Sequence, residues 1–426
     1  MPAKQQKQKA IQVCAHWQGM SEPVLMGTLF VTSSKGKEIF SFEYGQAWLE
    51  SPHAQLLDPH LVLFTGRQYT RDALSNFGLF LDSCPDRWGR VLMKRREEQE
   101  ARMEKREART LLESDYLLGV YDAHRIGALR FRLSDDTPFL DNQENRLAPP
   151  WTRLRDLEHA SLRLEDDNAE NESDYSKWIT MLIAPGASLG GARPKAGVLD
   201  EAGHPWIAKF PSRRDEMNIA KWEYLLYLLA QNAGIKVAQS KIEKFSGEHE
   251  TFLVKRFDRT ENGERLHFSS AMTLLGKKDG DGANTGVSYL GLAEFIVSHG
   301  ARVNQDLEQL WRRIVFHVCV SNTDDHLRNH GFMLTNTGWA LSPAYDMNPV
   351  AKGNGLSLNI SNDDNDQDLD LVLSVANYFR IDGERAGEII QEVKSSVKNW
   401  ATLATELSIP SSEVNQMKDA FRVVNK

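Results

Sequence analysis

The sequence predicts an α+β fold of two lobes preceded by a small mixed α/β subdomain. Three observations carry this. Short strand-like segments separated by turn residues crowd residues 195–257, helical periodicity takes over after about residue 260, and a separate hairpin-then-helix pattern fills residues 12–133. Strands grouped first and helices later are the mark of an α+β arrangement, the later lobe being largely helical. A chain of 426 residues also exceeds one domain of about 100–200 residues.

The elements follow in order. Gly27-Thr-Leu-Phe-Val31 and Ile39-Phe-Ser-Phe42, separated by the polar Ser33-Ser-Lys-Gly36, alternate as a β-hairpin does. Residues 86–109 are helical in pattern, and most of residues 94–109 carry charge of both signs, which reads as a solvated face with i,i+4 pairs or as a docking surface. Residues 134–176 hold Pro138, Pro149-Pro150 and the acidic run Glu165-Asp-Asp-Asn-Ala-Glu-Asn-Glu172. That composition buries little and repels itself, so residues 136–176 are expected to be a linker or insertion between a subdomain at 1–135 and a larger body at 177–426.

In the larger body, Lys195-Ala-Gly-Val-Leu199 and Pro205-Trp-Ile-Ala-Lys-Phe210 flank the turn Asp200-Glu-Ala-Gly-His204. A helix over 216–233 puts Ile219, Trp222, Leu226 and Leu229 on one face, with Gly234 as its stop. Residues 251–257 read as a strand, which ends the strand-rich lobe near residue 260. A helix over 305–320 turns Leu307, Leu310, Ile314 and Val318 inward, and helices over 384–400 and 412–424 complete the second lobe.

Composition excludes several classes. Lys plus Arg number 51 against 59 Asp plus Glu, a formal charge of -8, so a general nucleic-acid coat is not expected. Cys14, Cys84 and Cys319 are too few and too scattered for a disulfide framework or a zinc site, which fits a reducing cytoplasm. No apolar run approaches the roughly 18 residues of a membrane helix, so no membrane association is expected.

The densest chemistry lies in Asn322-Thr-Asp324-Asp325-His326-Leu-Arg-Asn329-His330-Gly331. A hairpin follows, with Asn336-Thr-Gly338 as its turn, and then Tyr345-Asp346. An Asp, an Asn five residues on, and a second Asp beyond a hairpin form the set with which protein kinases accept a hydroxyl proton and hold Mg²⁺. Phosphoryl transfer rests on positioning and charge neutralisation, hence on hard oxygen ligands such as Asn329 and Asp346. Upstream, Lys209 ends a strand and Glu223 lies on the next helix, in the order of the kinase pair that holds the ATP phosphates. Residues 184–195 are rich in Gly and small residues, where backbone N–H groups can cradle phosphates. His326 and His330 have i,i+4 spacing, but no third ligand is spaced to complete a zinc site.

Five motifs follow one another along the chain: Ser188-Leu-Gly-Gly-Ala-Arg-Pro-Lys195, Ile207-Ala-Lys-Phe-Pro211, Val254-Lys-Arg-Phe-Asp-Arg259, Asn322-Thr-Asp-Asp-His-Leu-Arg-Asn329 and Tyr345-Asp346. Together they resemble the HipA family of serine/threonine kinase toxins, the toxin halves of bacterial type II toxin–antitoxin modules. Leu81-Asp-Ser-Cys-Pro-Asp86, Asp115-Tyr-Leu-Leu-Gly119 and Ile126-Gly-Ala128 are similar to that family's N-terminal subdomain.

The resemblance implies a protein-kinase-like fold with ATP and Mg²⁺ as cofactors. It implies Asp324 as catalytic base, Asn329 and Asp346 as Mg²⁺ ligands, and Lys209 as phosphate contact with Glu223 in support. Gly190, Gly191, Ala192, Arg193, Pro194 and Lys195 would form the nucleotide loop. Lys255, Arg256 and Phe257 would be the adenine hinge, Asp258 would reach the ribose, and His326 and Tyr345 would complete the site. Ser188 would be autophosphorylated, which shuts the kinase off by adding charge to a loop that faces phosphates. The implied partners are a HipB-like helix-turn-helix antitoxin, operator DNA through that antitoxin, and a protein substrate of the aminoacyl-tRNA synthetase class. Two other readings remain at this level: a kinase-like co-repressor with little catalysis, and a small-molecule kinase of the aminoglycoside-phosphotransferase type.

Overall fold

A computed structural model describes residues 8–34, 36–71, 74–140, 149–183, 191 and 193–425. The chain divides into two compact units, residues 1–213 with 258–269 and residues 214–257 with 270–426. The first unit thus joins the hairpin at 195–209 to the N-terminal subdomain, whereas the sequence reading grouped that hairpin with residues 177–426.

The first unit is built on a five-stranded antiparallel sheet of β1 (Gln8–Ala15), β2 (Val24–Ser34), β3 (Lys37–Tyr44), β4 (Gln68–Tyr69) and β5 (Leu129–Arg132), in the order β4-β3-β2-β1-β5. The hairpin expected at 27–42 is β2–β3, with Ser34 paired to Lys37. Register sets the core. Ile11 faces Leu29, Leu29 faces Phe42, Val31 faces Phe40 and Val13 faces Phe131, so these seven apolar side chains line one fully buried face. Each stabilises the fold by about 1.5–3 kcal/mol on burial. Phe80, on the short helix Gly78–Leu81, closes the face with its ring 5.3 Å from Phe42 and 6.1 Å from Phe131. Where β1 shifts register at Val13/Cys14, β2 carries Gly27; a Cβ there would stand 2.3 Å from the Glu43 carbonyl, so only glycine fits.

Helix Arg87–Met103 starts where the Asp86 carboxylate accepts the Gly89 N–H at 2.8 Å. The sequence pattern carried this helix to residue 109, but it stops six residues earlier. Lys105 takes a left-handed conformation (φ 54°), Arg106 N–H caps the Ala101 carbonyl at 2.9 Å, and the chain turns back so that Arg106 and Arg109 reach Glu97. Residues 94–109 are therefore only partly a solvated face, since Glu97 is buried.

The stretch at 136–176 contains helix Leu154–Leu164, with Leu154, Leu157, Ala160 and Leu164 buried, followed by helix Tyr175–Ile183 packed on it and on Arg87–Met103. Its acidic run has local counter-ions. Glu165 accepts the Ser212 hydroxyl (2.9 Å) and the Arg213 N–H (2.8 Å), and Asp166 pairs with Arg163 and Arg213, both at 2.7 Å. Net charge along the sequence cannot reveal partners 47 residues away. The hairpin of Lys195–Leu199 and Pro205–Lys209 matches its expectation, with Asp200 Oδ1 accepting the Ala202 and His204 N–H groups in the turn.

The second unit surrounds helix Val303–Val320. Beyond the expected inward face, Trp311, Val315, Phe316, Cys319 and Val320 are all fully buried, because helices Tyr289–His299 and Gly383–Val397 and the 3₁₀ segment Lys418–Asn425 pack around it. Helix Ile219–Asn232 buries Trp222, Leu226 and Leu229 and ends as expected at Gly234 (φ 74°), where Ile235 N–H reaches the Ala230 carbonyl at 3.0 Å. Ser240–Glu243 pairs antiparallel with Thr251–Lys255, and Gly331–Thr335 with Gly338–Leu341. All three cysteines are buried thiols. Among the described residues no helix is long and apolar enough to cross a membrane.

Candidate functional site

The second unit assembles the polar segment at the C-terminal end of its buried helix. Helix Val303–Val320 stops because Ser321 is left-handed (φ 49°). Asn322 is then buried, whereas Asp324 is exposed two residues later. The Asp324 carbonyl accepts two bonds, from His326 N–H and from Asn329 Nδ2, each 3.0 Å. Since the Asn329 amide nitrogen donates there, its Oδ1 is left as an oxygen donor of the kind a hard cation takes. Asp324 and Asn329 are thereby fixed to one another across the 3₁₀ turn Leu327–Asn329.

Asp346 follows the hairpin in the left-handed region (φ 59°), which a short polar residue tolerates better than most. Its neighbours are pinned on both sides. Ala344 N–H donates to the Lys236 carbonyl (2.8 Å), Tyr345 hydroxyl to the Arg328 carbonyl (2.7 Å), and Asn348 N–H to Asn322 Oδ1 (3.3 Å). Tyr345 also places its ring 5.6 Å from that of Phe257, one of the residues expected at the hinge. Lys255 continues its hairpin through a 2.8 Å bond from its N–H to the Gln239 carbonyl, and Arg256 is buried. His326 is half-buried with an unbonded Nδ1. Glu223 is buried on helix Ile219–Asn232.

Sequence reasoning missed the group behind this turn. Asp325 is buried, and its Oδ2 faces the Tyr289 hydroxyl at 2.6 Å, His330 Nε2 at 2.8 Å and His317 Nε2 at 3.4 Å. Burial works against its charge, but the two imidazoles and the hydroxyl outweigh it and hold the carboxyl below the usual carboxylate range. Burial pushes His317 down to about 4, so its ring faces Asp325 as a neutral imidazole. The same charge, together with burial, keeps the Tyr289 hydroxyl well above its ordinary value. No local signal could have found this set, since Tyr289 lies 36 residues before Asp325.

The first unit holds the other candidates. Lys195 Nζ is buried in a 2.7 Å ion pair with Asp86 and lies 3.5 Å from the Gly191 carbonyl. Burial pushes the Asp86 carboxyl up, against the pull of Lys195. Gly191 is left-handed (φ 86°), Arg193 is half-buried and Pro194 is buried, its carbonyl accepting Phe210 N–H at 2.9 Å. Lys209 is half-buried at the strand end, opposite Lys195 in register. Asp258, the residue expected at the ribose, is anchored in the first unit. It is buried, and its Oδ2 accepts the Gly127 N–H (2.8 Å) and Arg259 Nη1 (2.7 Å). Ser188, Gly190 and Ala192 lie outside the described residues.

Comparison with known proteins bears on the family and the fold. Residues 187–401 match the model of the HipA-like C-terminal domain. A Haemophilus influenzae (strain Rd) protein that carries the description "Putative kinase" is 28% identical over 202 residues, 42% of this chain and 59% of that protein. The chain therefore spans about 59% of the length of that curated relative. The HipA chain from the Shewanella oneidensis MR-1 complex of HipA, HipB and operator DNA superimposes with a TM-score of 0.65 at 17% identity, over 97% of this chain and 95% of that one. The two share a fold.

Proposed function

We propose a function from one premise, that the chain belongs to the HipA-like C-terminal domain family: it is an ATP-dependent kinase that phosphorylates a serine or threonine hydroxyl of a protein. The observation that carries this is the pairing of an exposed Asp324 with an Asn329 amide bonded to its carbonyl, in the same unit as an Asp346 pinned on both sides. Asp324 accepts the proton of the attacking hydroxyl. Asn329 Oδ1 and the Asp346 carboxylate are the oxygens that hold magnesium. When bound, Mg-ATP supplies the phosphoryl group and neutralises the charge that develops on it.

Lys209 contacts the phosphates with Glu223 in support, and residues 190–195 form the loop beside them. Lys255, Arg256 and Phe257 face the base, with Tyr345 behind Phe257 and His326 at the edge of the site. Asp258, whose Oδ2 holds the Gly127 turn, is assigned to the ribose. Ser188 is the autoregulatory phosphorylation site.

The Shewanella HipA structure contains HipB and operator DNA. By extension, this protein binds a small helix-turn-helix antitoxin in the cytoplasm and reaches operator DNA through it, as suits a charge of -8. Its target is a protein of the aminoacyl-tRNA synthetase class.

Purified protein given Mg-ATP should gain one phosphate on Ser188 by intact-mass spectrometry, and Asp324→Asn should abolish the gain. An unmodified wild type, or equal modification of both proteins, would overturn the kinase reading and favour a co-repressor with little catalysis. Ser188→Ala should still phosphorylate a target protein in its first turnovers.

A further inference from the structure

A largely buried chain of polar contacts runs through the neighbours of all three groups assigned to phosphoryl transfer. It begins at Asn348, two residues after Asp346, whose N–H donates to Asn322 Oδ1 at 3.3 Å. Asn322 precedes Asp324 by two residues, and its Nδ2 donates to His317 Nδ1 at 2.9 Å. That bond fixes the tautomer of His317: Nδ1 is the acceptor, so the proton sits on Nε2, 3.4 Å from Asp325 Oδ2. Asp325 follows Asp324 directly. Its Oδ2 also faces His330 Nε2 at 2.8 Å and the Tyr289 hydroxyl at 2.6 Å, and His330 directly follows Asn329.

The directions are consistent throughout. His330 and Tyr289 hydrogen-bond to Asp325, which as a carboxylate only accepts, and His317 Nε2 lies against the same oxygen at 3.4 Å. Asn322, His317, Asp325, His330 and Tyr289 are all almost fully buried, so water does not compete for these bonds. The backbone adds a parallel tie, Asn322 N–H to the His317 carbonyl at 3.0 Å.

We propose that Asp325 is a positioning residue for the phosphoryl-transfer site, a buried anion that gathers Tyr289, His317 and His330 and thereby fixes Asp324, Asn329 and Asp346 relative to one another. It does not itself touch substrate. The physical basis is the one that makes outer-shell partners of catalytic groups matter: a side chain on a turn is only as well placed as the bonds that hold the turn. The inference rests on the kinase reading for its catalytic consequence, but the mechanical coupling of the three segments stands without it.

The test uses the full chain with Asp325→Asn and the milder Tyr289→Phe. Asparagine keeps the shape of the side chain but removes the negative charge on which the three groups converge. For Asp325→Asn the expected loss in kcat is about 10- to 100-fold, with KM for ATP within about threefold of wild type, and a smaller kcat loss of the same kind for Tyr289→Phe. Amide hydrogen exchange is the second readout. In Asp325→Asn the amides of 322–330 and of 345–348 should speed up together, while those of the helix Gly383–Val397 stay as in wild type. A kcat unchanged in a folded Asp325→Asn protein, or faster exchange confined to 322–330 with 345–348 unmoved, overturns the proposal. A wild type that transfers no phosphate defeats the kinase reading instead, and the exchange pattern still decides whether Asp325 couples the segments.

Discussion

Two buried carboxylates, one in each unit, show that burial alone does not decide what a buried acid does. Asp86 lies beneath the hairpin at 195–209 and meets a single lysine, Lys195, at 2.7 Å besides the N–H it caps at 2.8 Å. Asp325 lies behind the turn that carries Asp324 and has two imidazoles and a phenol on one oxygen. Burial raises both. It prevails for Asp86, whose carboxyl is pushed up, and loses at Asp325, which is held below the ordinary range. A lone ion pair recovers only part of the desolvation penalty, whereas convergent donors satisfy the charge from several sides.

The largest expected effect breaks the Asp86 side. Lys195→Met leaves a buried carboxylate without its counter-charge and should lower stability by about 3–5 kcal/mol in a urea titration. Adding Asp86→Asn, which keeps the cap on Gly89 but removes the charge, should restore much of it; if the double variant is as unstable as the single one, the pair is not what holds that site.

Acid sharpens the Asp325 side. His317 has its folded value depressed to about 4 from 6.5, so the folded state binds fewer protons than the unfolded one in that window. Its stabilising contribution is therefore complete above about pH 6.5 and is lost as the pH falls towards 4, about 2 kcal/mol between pH 7 and 5. Asp325, also depressed, adds loss of the same sign at still lower pH. Asp86, being raised, acts oppositely and favours folding as the pH falls through its elevated value. Denaturation midpoints measured across this range should slope less in His317→Gln than in wild type and more in Asp86→Asn.

A smaller effect is expected at Trp88, whose Nε1 donates to the Lys195 carbonyl at 3.1 Å. Trp88→Phe should cost about 1 kcal/mol for the lost bond, plus a contribution from the smaller ring. The smallest belongs to Lys94 and Glu98, an exposed i,i+4 pair at 4.0 Å on the same helix. Glu98→Gln should stay within about 0.5 kcal/mol of wild type, and a larger change would mean that exposed charge on this helix matters as buried charge does.

How much of this was legible depends on separation along the chain. The hairpin at 331–341, the cap at Gly234 and the inward face of helix Val303–Val320 follow from signals a few residues long, and the structure has them. The full burial of that helix was not legible, because periodicity reports the face a helix prefers and not how many neighbours surround it. Helix Leu154–Leu164 was hidden by the acidic run after it, whose Glu165 finds its hydrogen-bond partners 47 and 48 residues on, at Ser212 and Arg213. Within the candidate site, Asp324, Asn329 and Asp346 stood out by type and spacing, but the stops that hold them are non-local.

The order of the motifs, the turns and caps that punctuate them, and the residue types phosphoryl transfer requires can all be read from the residues alone. Those are local properties, written in steric preference and in spacings of two to five residues. That Asp258 braces Gly127, that Lys195 is locked to Asp86, and that Tyr289, His317 and His330 converge on Asp325 came with the packing. Each of these joins residues whose meeting depends on how buried elements pack, and packing is set by the whole core rather than by any window of the chain.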